Sequence, residues 1–202
     1  MKALKALFFG LLAAATLAGT DARAQTAYAA GQGGVSSLNV GIDVKASVKD
    51  RCGFASGGAP SGTISQADFD ANGFSRDFAL VLNCSGASRV AVTSANGGLV
   101  TDTPGAAGYA TKASYNVSLK LVADNATTAT ASCAADAFAS GGSCAAFAGT
   151  ASSSTGLRLA AASTKVNGSY LRVSAPAYAS ANAPLVAGSY SDTLTITVSA
   201  AP

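Results

Sequence analysis

One stretch near the start of the chain alternates strictly between apolar residues and polar or small ones. Its apolar positions are Val40, Ile42, Val44, Ala46 and Val48. Polar or small residues stand between them, from Asn39 to Ser47. Successive side chains of a β-strand point to opposite faces, so this period of two predicts a half-buried strand rather than a helix.

Six further segments combine β-branched or aromatic residues with turn signals at their ends. They comprise residues 77–83, 89–94, 114–122, 156–161, 169–175 and 192–199. Pairs such as Asn96-Gly97 and Asn167-Gly168 supply the positive φ angles that tight turns need. About seven short strands separated by turns predict an all-β fold, an antiparallel sandwich.

Residues 126–151 are rich in alanine, which favours a helix. Threonine, serine and glycine residues interrupt this region, and Cys133 and Cys144 would draw its ends together. We therefore expect a disulfide-tied loop here, with one short helical turn.

The first 24 residues have the three parts of a secretory signal peptide. Lys2 and Lys5 precede an apolar run over residues 6–18, and Ala22-Arg23-Ala24 offers small residues for cleavage. The run is shorter than the ~20 residues of a membrane span. We therefore expect residues 1–24 to be removed on export, with a small, glycine-rich lead-in directly after them.

The composition of the chain excludes most catalytic chemistries. There is no histidine and no glutamate in the 202 residues, so triads that need an imidazole and paired-glutamate catalysis are ruled out. Charged residues make up 11% of the chain, and the net charge of +3 falls to about +1 without residues 1–24. We expect no enzymatic activity, no cofactor and no nucleic-acid partner.

The four cysteines are Cys52, Cys84, Cys133 and Cys144. An even number in an exported chain predicts two disulfides. Three pairings are possible, and the pairing of neighbours in sequence, Cys52–Cys84 with Cys133–Cys144, is the most economical. No C-x-x-C pair occurs, so the cysteines do not indicate a zinc site.

The segment Asp68-Phe69-Asp70-Ala71-Asn72-Gly73 matches the opening of a calcium-binding EF-hand loop. The twelfth position of such a loop is a bidentate glutamate, and here it is Ala79. We interpret the segment as a polar turn before a strand and expect no metal site.

Three segments together resemble a known family. They are the alternating stretch that runs into Cys52-Gly53-Phe54, the strand 78–83 that ends at Cys84, and the ending Gly188-Ser189-Tyr190-Ser191-Asp192-Thr193-Leu194-Thr195-Ile196-Thr197-Val198. The chain resembles the archaic chaperone–usher pilus subunits, which share the spore coat protein U domain.

The resemblance implies an immunoglobulin-like sandwich that lacks one strand, over residues 49–202. A periplasmic chaperone first supplies the missing strand, and the N-terminal extension of the next subunit then replaces it. Residues 25–48 would be that extension, with Val40, Ile42, Val44, Ala46 and Val48 as the donor face. Tyr190, Leu194, Ile196 and Val198 would line the accepting groove.

The function that follows is that of an exported structural subunit of a surface pilus, active in adhesion or biofilm. Its implied partners are identical or related pilus subunits, a periplasmic chaperone and an outer-membrane usher. The alternative is a monomeric, self-complemented binding module or a tip adhesin. Residues 40–48 could also be the first strand of the domain's own sheet, and the boundaries of the donor stretch are open because the alternation breaks at Ser36-Ser37.

Overall fold

The computed structural model describes residues 43–47, 49–138, 144, 146–178 and 183–201. Its helical elements are a single α-turn, α1 (Phe69–Asn72), and a 3-10 helix, Ala135–Phe138. The strands are β1 (Phe74–Leu80), β2 (Asn83–Cys84), β3 (Ser88–Ser94), β4 (Leu99–Val100), β5 (Lys112–Ala113), β6 (Asn116–Val122), β7 (Thr128–Ala134), β8 (Leu157–Leu159), β9 (Ser163–Thr164), β10 (Ser169–Ala175) and β11 (Leu194–Ala200).

Two antiparallel sheets form the body of the fold. The first sheet has four strands in the order β1-β10-β6-β7, and the second has three in the order β11-β3-β8. Two short ribbons, β2 with β9 and β4 with β5, extend them. The prediction of an all-β, antiparallel sandwich is confirmed.

The core lies between the two sheets and follows the period of two along their strands. In β6, Val117, Leu119 and Leu121 are buried, while the residues between them are partly exposed. Val90 and Val92 of β3 face them from the second sheet and are fully buried. Alternation in sequence thus selects one apolar face per strand, and two such faces make the core.

Most predicted strands are present with shifted ends. The segment predicted at 77–83 begins earlier, at Phe74, and its regular part ends at Leu80. Residues 43–47 lie in no strand of the described structure and are exposed, Val44 by 86%. The half-buried strand expected at 40–48 is therefore not formed at these five positions, while Val40, Ile42 and Val48 lie outside the described residues.

The prediction of a loop over residues 126–151 is wrong for the first part of that range. Thr128–Ala134 forms β7, which pairs with β6 along its whole length, from Val122↔Thr128 to Asn116↔Ala134. Its side chains alternate between exposed Thr or Ser and half-buried Ala or Cys. Alanine can occupy the inward positions of an edge strand because pairing with the neighbouring strand outweighs the helix propensity of alanine. The expected helical turn is present as the 3-10 helix.

The chain itself covers one side of the sandwich, the sealed side, where β7 and β8 are the outer strands. After the 3-10 helix the chain returns to β3, where the Val92 N–H donates to the Phe147 carbonyl at 2.8 Å and the Gly149 N–H donates to Val92 at 3.0 Å. Phe147 is fully buried, and its ring packs at a tilt of 56° against that of Phe138, with ring centroids 5.0 Å apart. This return closes the core between the two sheets.

Both disulfides of the economical pairing are formed. Cys52 is bonded to Cys84 and Cys133 to Cys144, and none of the described cysteines is free. Two disulfides indicate an oxidising compartment outside the cytoplasm. No helix in the described part of the chain has the length and apolar character to span a membrane.

Candidate functional site: a groove on the open side

The opposite side of the sandwich, the open side, has β1 and β11 as its outer strands. A groove of about 550 Å³ lies between them. Protein interiors are packed with few voids larger than a water molecule, and a cleft of this size is typical of a binding site.

Apolar side chains from both sheets form the walls of the groove. Phe74 and Phe78 come from β1, Leu171 and Val173 from β10, and Leu194 and Ile196 from β11. Residues 60–64 border the mouth, together with Gln66 and Phe69. These walls are the same inward faces that make the core elsewhere, but here the described side chains leave an open cleft between them.

The backbone of β11 is unpaired along the groove. The Ala95 N–H donates to the Thr193 carbonyl and the Ala201 N–H to Ala87, both at 2.9 Å. In an antiparallel ladder, bonded residues alternate with residues whose N–H and C=O point the other way. The backbone groups of Leu194, Ile196 and Val198 therefore point away from β3, and no described backbone group pairs with them.

The free edge of β1 has the same character. Directly after β1, Val81 accepts from the Ala55 N–H and donates to the Gly58 carbonyl, both at 2.8 Å, on the side away from β10. By the same alternation, Ser75, Asp77 and Ala79 turn their backbone groups to that side, where no described segment pairs with them. The groove thus has two unpaired strand edges facing it.

The segment before the groove explains where the free edge of β1 begins. Residues 51–58 run beside residues 81–85, and Cys52–Cys84 fastens them there. Gly58 lies so close that a side chain on it would come within 2.7 Å of the Val81 carbonyl. After Gly58 no described backbone group pairs with β1 on this side, and the unpaired edge starts at this point.

A partly buried carboxylate, that of Asp192, lies at one end of the groove. Asp192 Oδ2 accepts from Ser94 Oγ (2.6 Å), the Tyr115 hydroxyl (2.7 Å) and the Gly98 N–H (3.2 Å). Its Oδ1 accepts from the N–H groups of Asn96 (3.0 Å) and Thr193 (2.7 Å). The cluster joins the start of β11 to the end of β3 and to the residue before β6.

The charge on Asp192 is favoured by these donors. Burial opposes ionisation, but the hydrogen bonds from Ser94, Tyr115 and the two backbone N–H groups outweigh it and lower the pKa of Asp192. For Tyr115, burial and then the hydrogen bond to Asp192 raise the pKa of the phenol. Asp192 is therefore an anion whose lone pairs are already used within the subunit.

The approach to β11 is fixed by two more residues of the C-terminal motif. Tyr190 donates to the Val186 carbonyl at 2.8 Å, and its ring packs edge-on against Phe69 at 5.5 Å. A side chain on Gly188 would come within 2.8 Å of Thr101 Oγ1. The Gly-x-Tyr-x-Asp spacing therefore anchors the strand that forms one wall of the groove.

The outer surface beside β1 carries a charged pair. Arg172 donates to both carboxylate oxygens of Asp77, at 2.6 and 2.8 Å. The hydrogen bond from Arg172 lowers the pKa of Asp77. A charged pair next to a free strand edge discourages unspecific pairing with other chains.

The structure places three of the four predicted groove residues on the groove wall: Tyr190, Leu194 and Ile196. Val198 is half-buried and packs against the core without lining the groove. Sequence reasoning missed the wall of the first sheet and the Asp192–Tyr115 pair. The alternation of Phe74, Phe78 and Leu80 was a signal for the wall of the first sheet. The position of Asp192 within the C-terminal motif was a signal for the Asp192–Tyr115 pair.

The predicted donor residues that the structure describes, Val44 and Ala46, are exposed. The calcium-like segment forms α1 and the turn into β1, where the Asp70 carbonyl accepts from the Tyr178 N–H at 2.7 Å. Across the described residues, no three His, Cys, Asp or Glu side chains are close enough together to hold a metal ion. Comparisons with family models, curated proteins and solved structures gave no match.

Proposed function

We propose that this protein is an exported structural subunit that polymerises into a surface fibre by accepting a β-strand from a neighbouring copy. The observation that carries the proposal is the groove on the open side, where two unpaired strand edges face one apolar cleft. An added strand would satisfy the backbone groups and fill the cleft in one step.

Within the described residues, the groove lacks a backbone partner for its two free edges and side chains to fill its cleft. Unpaired backbone groups and apolar walls are both unfavourable next to water. Each apolar side chain that an added strand buries contributes about 1.5–3 kcal/mol. A strand held by several such side chains and by ladder hydrogen bonds would dissociate slowly, as a structural fibre requires.

The N-terminal extension, residues 25–48, is the proposed source of the strand. Its alternating stretch has the pattern of a strand with one apolar face, and Val44 within it is exposed. Donation from each subunit to the next is a head-to-tail contact that does not close on itself, so it produces a fibre. The role of the fibre would be adhesion or biofilm formation.

The proposal includes the partners that the resemblance implies. A periplasmic chaperone would occupy the groove during transit, since the empty groove is prone to unspecific strand addition. An outer-membrane usher would then exchange the chaperone for the next subunit at the cell surface. The disulfides are compatible with this route because both form in an oxidising compartment.

The test is deletion of residues 25–48 behind an intact signal peptide. We expect the full chain to give a ladder of multimers on unheated SDS gels and the deletion variant to give only monomer or chaperone-bound monomer. Deletion of the lead-in alone, residues 25–34, is the matched control and should keep the ladder. A ladder that survives the longer deletion would refute the mechanism, and a stable monomer of the full chain with its own extension in the groove would support a self-complemented binding module.

A further inference from the structure

We propose that the groove accepts three side chains of a second copy, Val40, Ile42 and Val44, and that Ala46 and Val48 stay outside it as part of the link between subunits. The inference rests on the proposed function and specifies its register. The groove, the chemistry of its walls and the length of chain before Arg51 all lead to this assignment.

The length of the groove sets the number of side chains. On β1 the groove wall runs from Phe74 to Phe78, and on the other side it runs from Tyr190 through the start of β11 to Ile196. Beyond Phe78 the edge is occupied, since Val81 is paired with Ala55 and Gly58. Five residues of strand rise roughly 13–17 Å and present three side chains to one face. The groove therefore fits three of the five apolar positions.

The chemistry of the groove selects an uncharged, branched apolar set. The side chains that β1, β10 and β11 turn into it are largely apolar, and Asp192, the acidic residue among the described lining, already accepts five hydrogen bonds within the subunit. Asp192 therefore requires no cationic side chain from the incoming strand. Val40, Ile42 and Val44 are the three bulky members of the stretch that follow one another without interruption, whereas Ala46 offers little area to bury.

The length of chain before the domain excludes the later positions. Arg51 is fixed to its own domain, because its N–H donates to Ser85 Oγ at 3.0 Å and its carbonyl accepts from the Ser85 N–H at 2.9 Å. With Val44 as the last inserted residue, residues 45–50 can span about 20 Å between two subunits. With Val48 inserted, two residues remain and span about 7 Å. That is less than the ~10 Å that separates two sheets packed face to face, so we assign the inserted side chains to the earlier positions.

The backbone of the incoming strand has a defined partner. Leu194, Ile196 and Val198 offer their N–H and C=O groups on the groove side of β11. A strand paired there points alternate side chains between the two sheets, towards Phe78 and Leu171. Ile42, at the centre of the three, would lie in the middle of the groove.

The matched test compares Ile42→Asp with Val48→Asp in the full chain. Both residues are β-branched and share one face of the stretch, so only their position relative to the groove differs. We expect Ile42→Asp to reduce the SDS-resistant multimers by a factor of ten or more, since burial of one such side chain is worth about ten- to a hundredfold in affinity. Val48→Asp should stay within about twofold of the parent.

A second readout maps the contact directly. A photoreactive benzoylphenylalanine in place of Ile196 should cross-link to the neighbouring copy, and trypsin cuts after Lys45 and Lys49. We expect the cross-link on the peptide that ends at Lys45. A cross-link on residues 46–49, or a loss of multimers with Val48→Asp equal to that with Ile42→Asp, would overturn the register. Survival of the ladder after deletion of residues 25–48 would instead overturn the proposed function, so the two failures are distinguishable.

Discussion

The sealed side and the open side of the sandwich have the same kind of margin, but only the sealed side is covered by the chain itself. Each side has two outer strands with a gap between the sheets. On the sealed side the chain returns after the 3-10 helix, pairs residues 147–149 with Val92 and places Phe147 in the core. On the open side residues 51–58 pair only with residues 81–85, which follow β1. The groove beside Phe78 therefore stays open.

This difference shows what a sandwich requires at its margins. A gap between sheets needs both a backbone partner for the free edge and side chains for the cleft. The segment with Phe147 supplies both from the same chain. On the open side no described backbone group pairs with the free edges, and a cleft remains between the sheets, which is why the proposed function assigns the missing strand to a second copy.

The largest expected effect is on the sealed side. Phe147→Ala removes a fully buried ring that packs against Phe138, and we expect it to lower the free energy of unfolding by about 3–5 kcal/mol. Urea denaturation of the purified domain measures this. Tyr109→Ala removes an aromatic side chain that is 53% exposed and should change the value by less than about 0.5 kcal/mol. Equal losses from the two variants would show that the side is not sealed by Phe147.

Removal of the Cys133–Cys144 disulfide should have the next largest effect. The two cysteines are 11 residues apart, and loss of so short a cross-link costs about 2–3 kcal/mol in the chain-entropy account. The double variant Cys133→Ala/Cys144→Ala should therefore unfold at lower urea, while it still forms multimers, since the groove lies on the other side. A loss of multimers at full retention of the fold would contradict the separation of the two sides.

Asp192→Asn tests the end of the groove. The variant replaces a carboxylate that accepts five hydrogen bonds, and we expect a loss of about 2 kcal/mol at neutral pH. Because the pKa of Asp192 in the folded chain is below the ordinary value of 3.8, its contribution is present above about pH 4 and disappears as pH falls through the folded-state pKa. The difference between parent and variant should therefore shrink in unfolding curves below pH 4. A difference that does not change with pH would exclude the charge as the cause.

The smallest effect on the isolated subunit should come from the groove wall. Ile196→Ala shortens a side chain that is only half-buried without an added strand, so we expect a loss of about 1 kcal/mol. With a saturating synthetic peptide of residues 38–48, the loss should rise towards the 2–5 kcal/mol typical of a core position. Thermal unfolding with and without the peptide measures both values. An equal loss in the two conditions would show that the peptide does not cover Ile196.

The fold class and much of the strand pattern could be predicted from the sequence because they depend on local alternation. Strands β6 and β10 each bury every second residue along their length. Alternation marked the inward face of Leu194, Ile196 and Val198, and the family resemblance implied that this face lines a groove. A period of two identifies the face on which a side chain lies. It does not show how far along that face a neighbouring segment covers the strand, so it could not separate Val198 from Leu194 and Ile196.

The alanine-rich strand and the groove were decided only by tertiary structure. Alanine favours a helix in isolation, and β7 forms because β6 offers a full edge to residues 128–134. The groove exists because segments distant in sequence, residues 51–58 and 147–149, cover some edges and leave others free. Local sequence determines which way a side chain points along its own strand, whereas the pairing of distant edges depends on loop closure and packing across the whole chain.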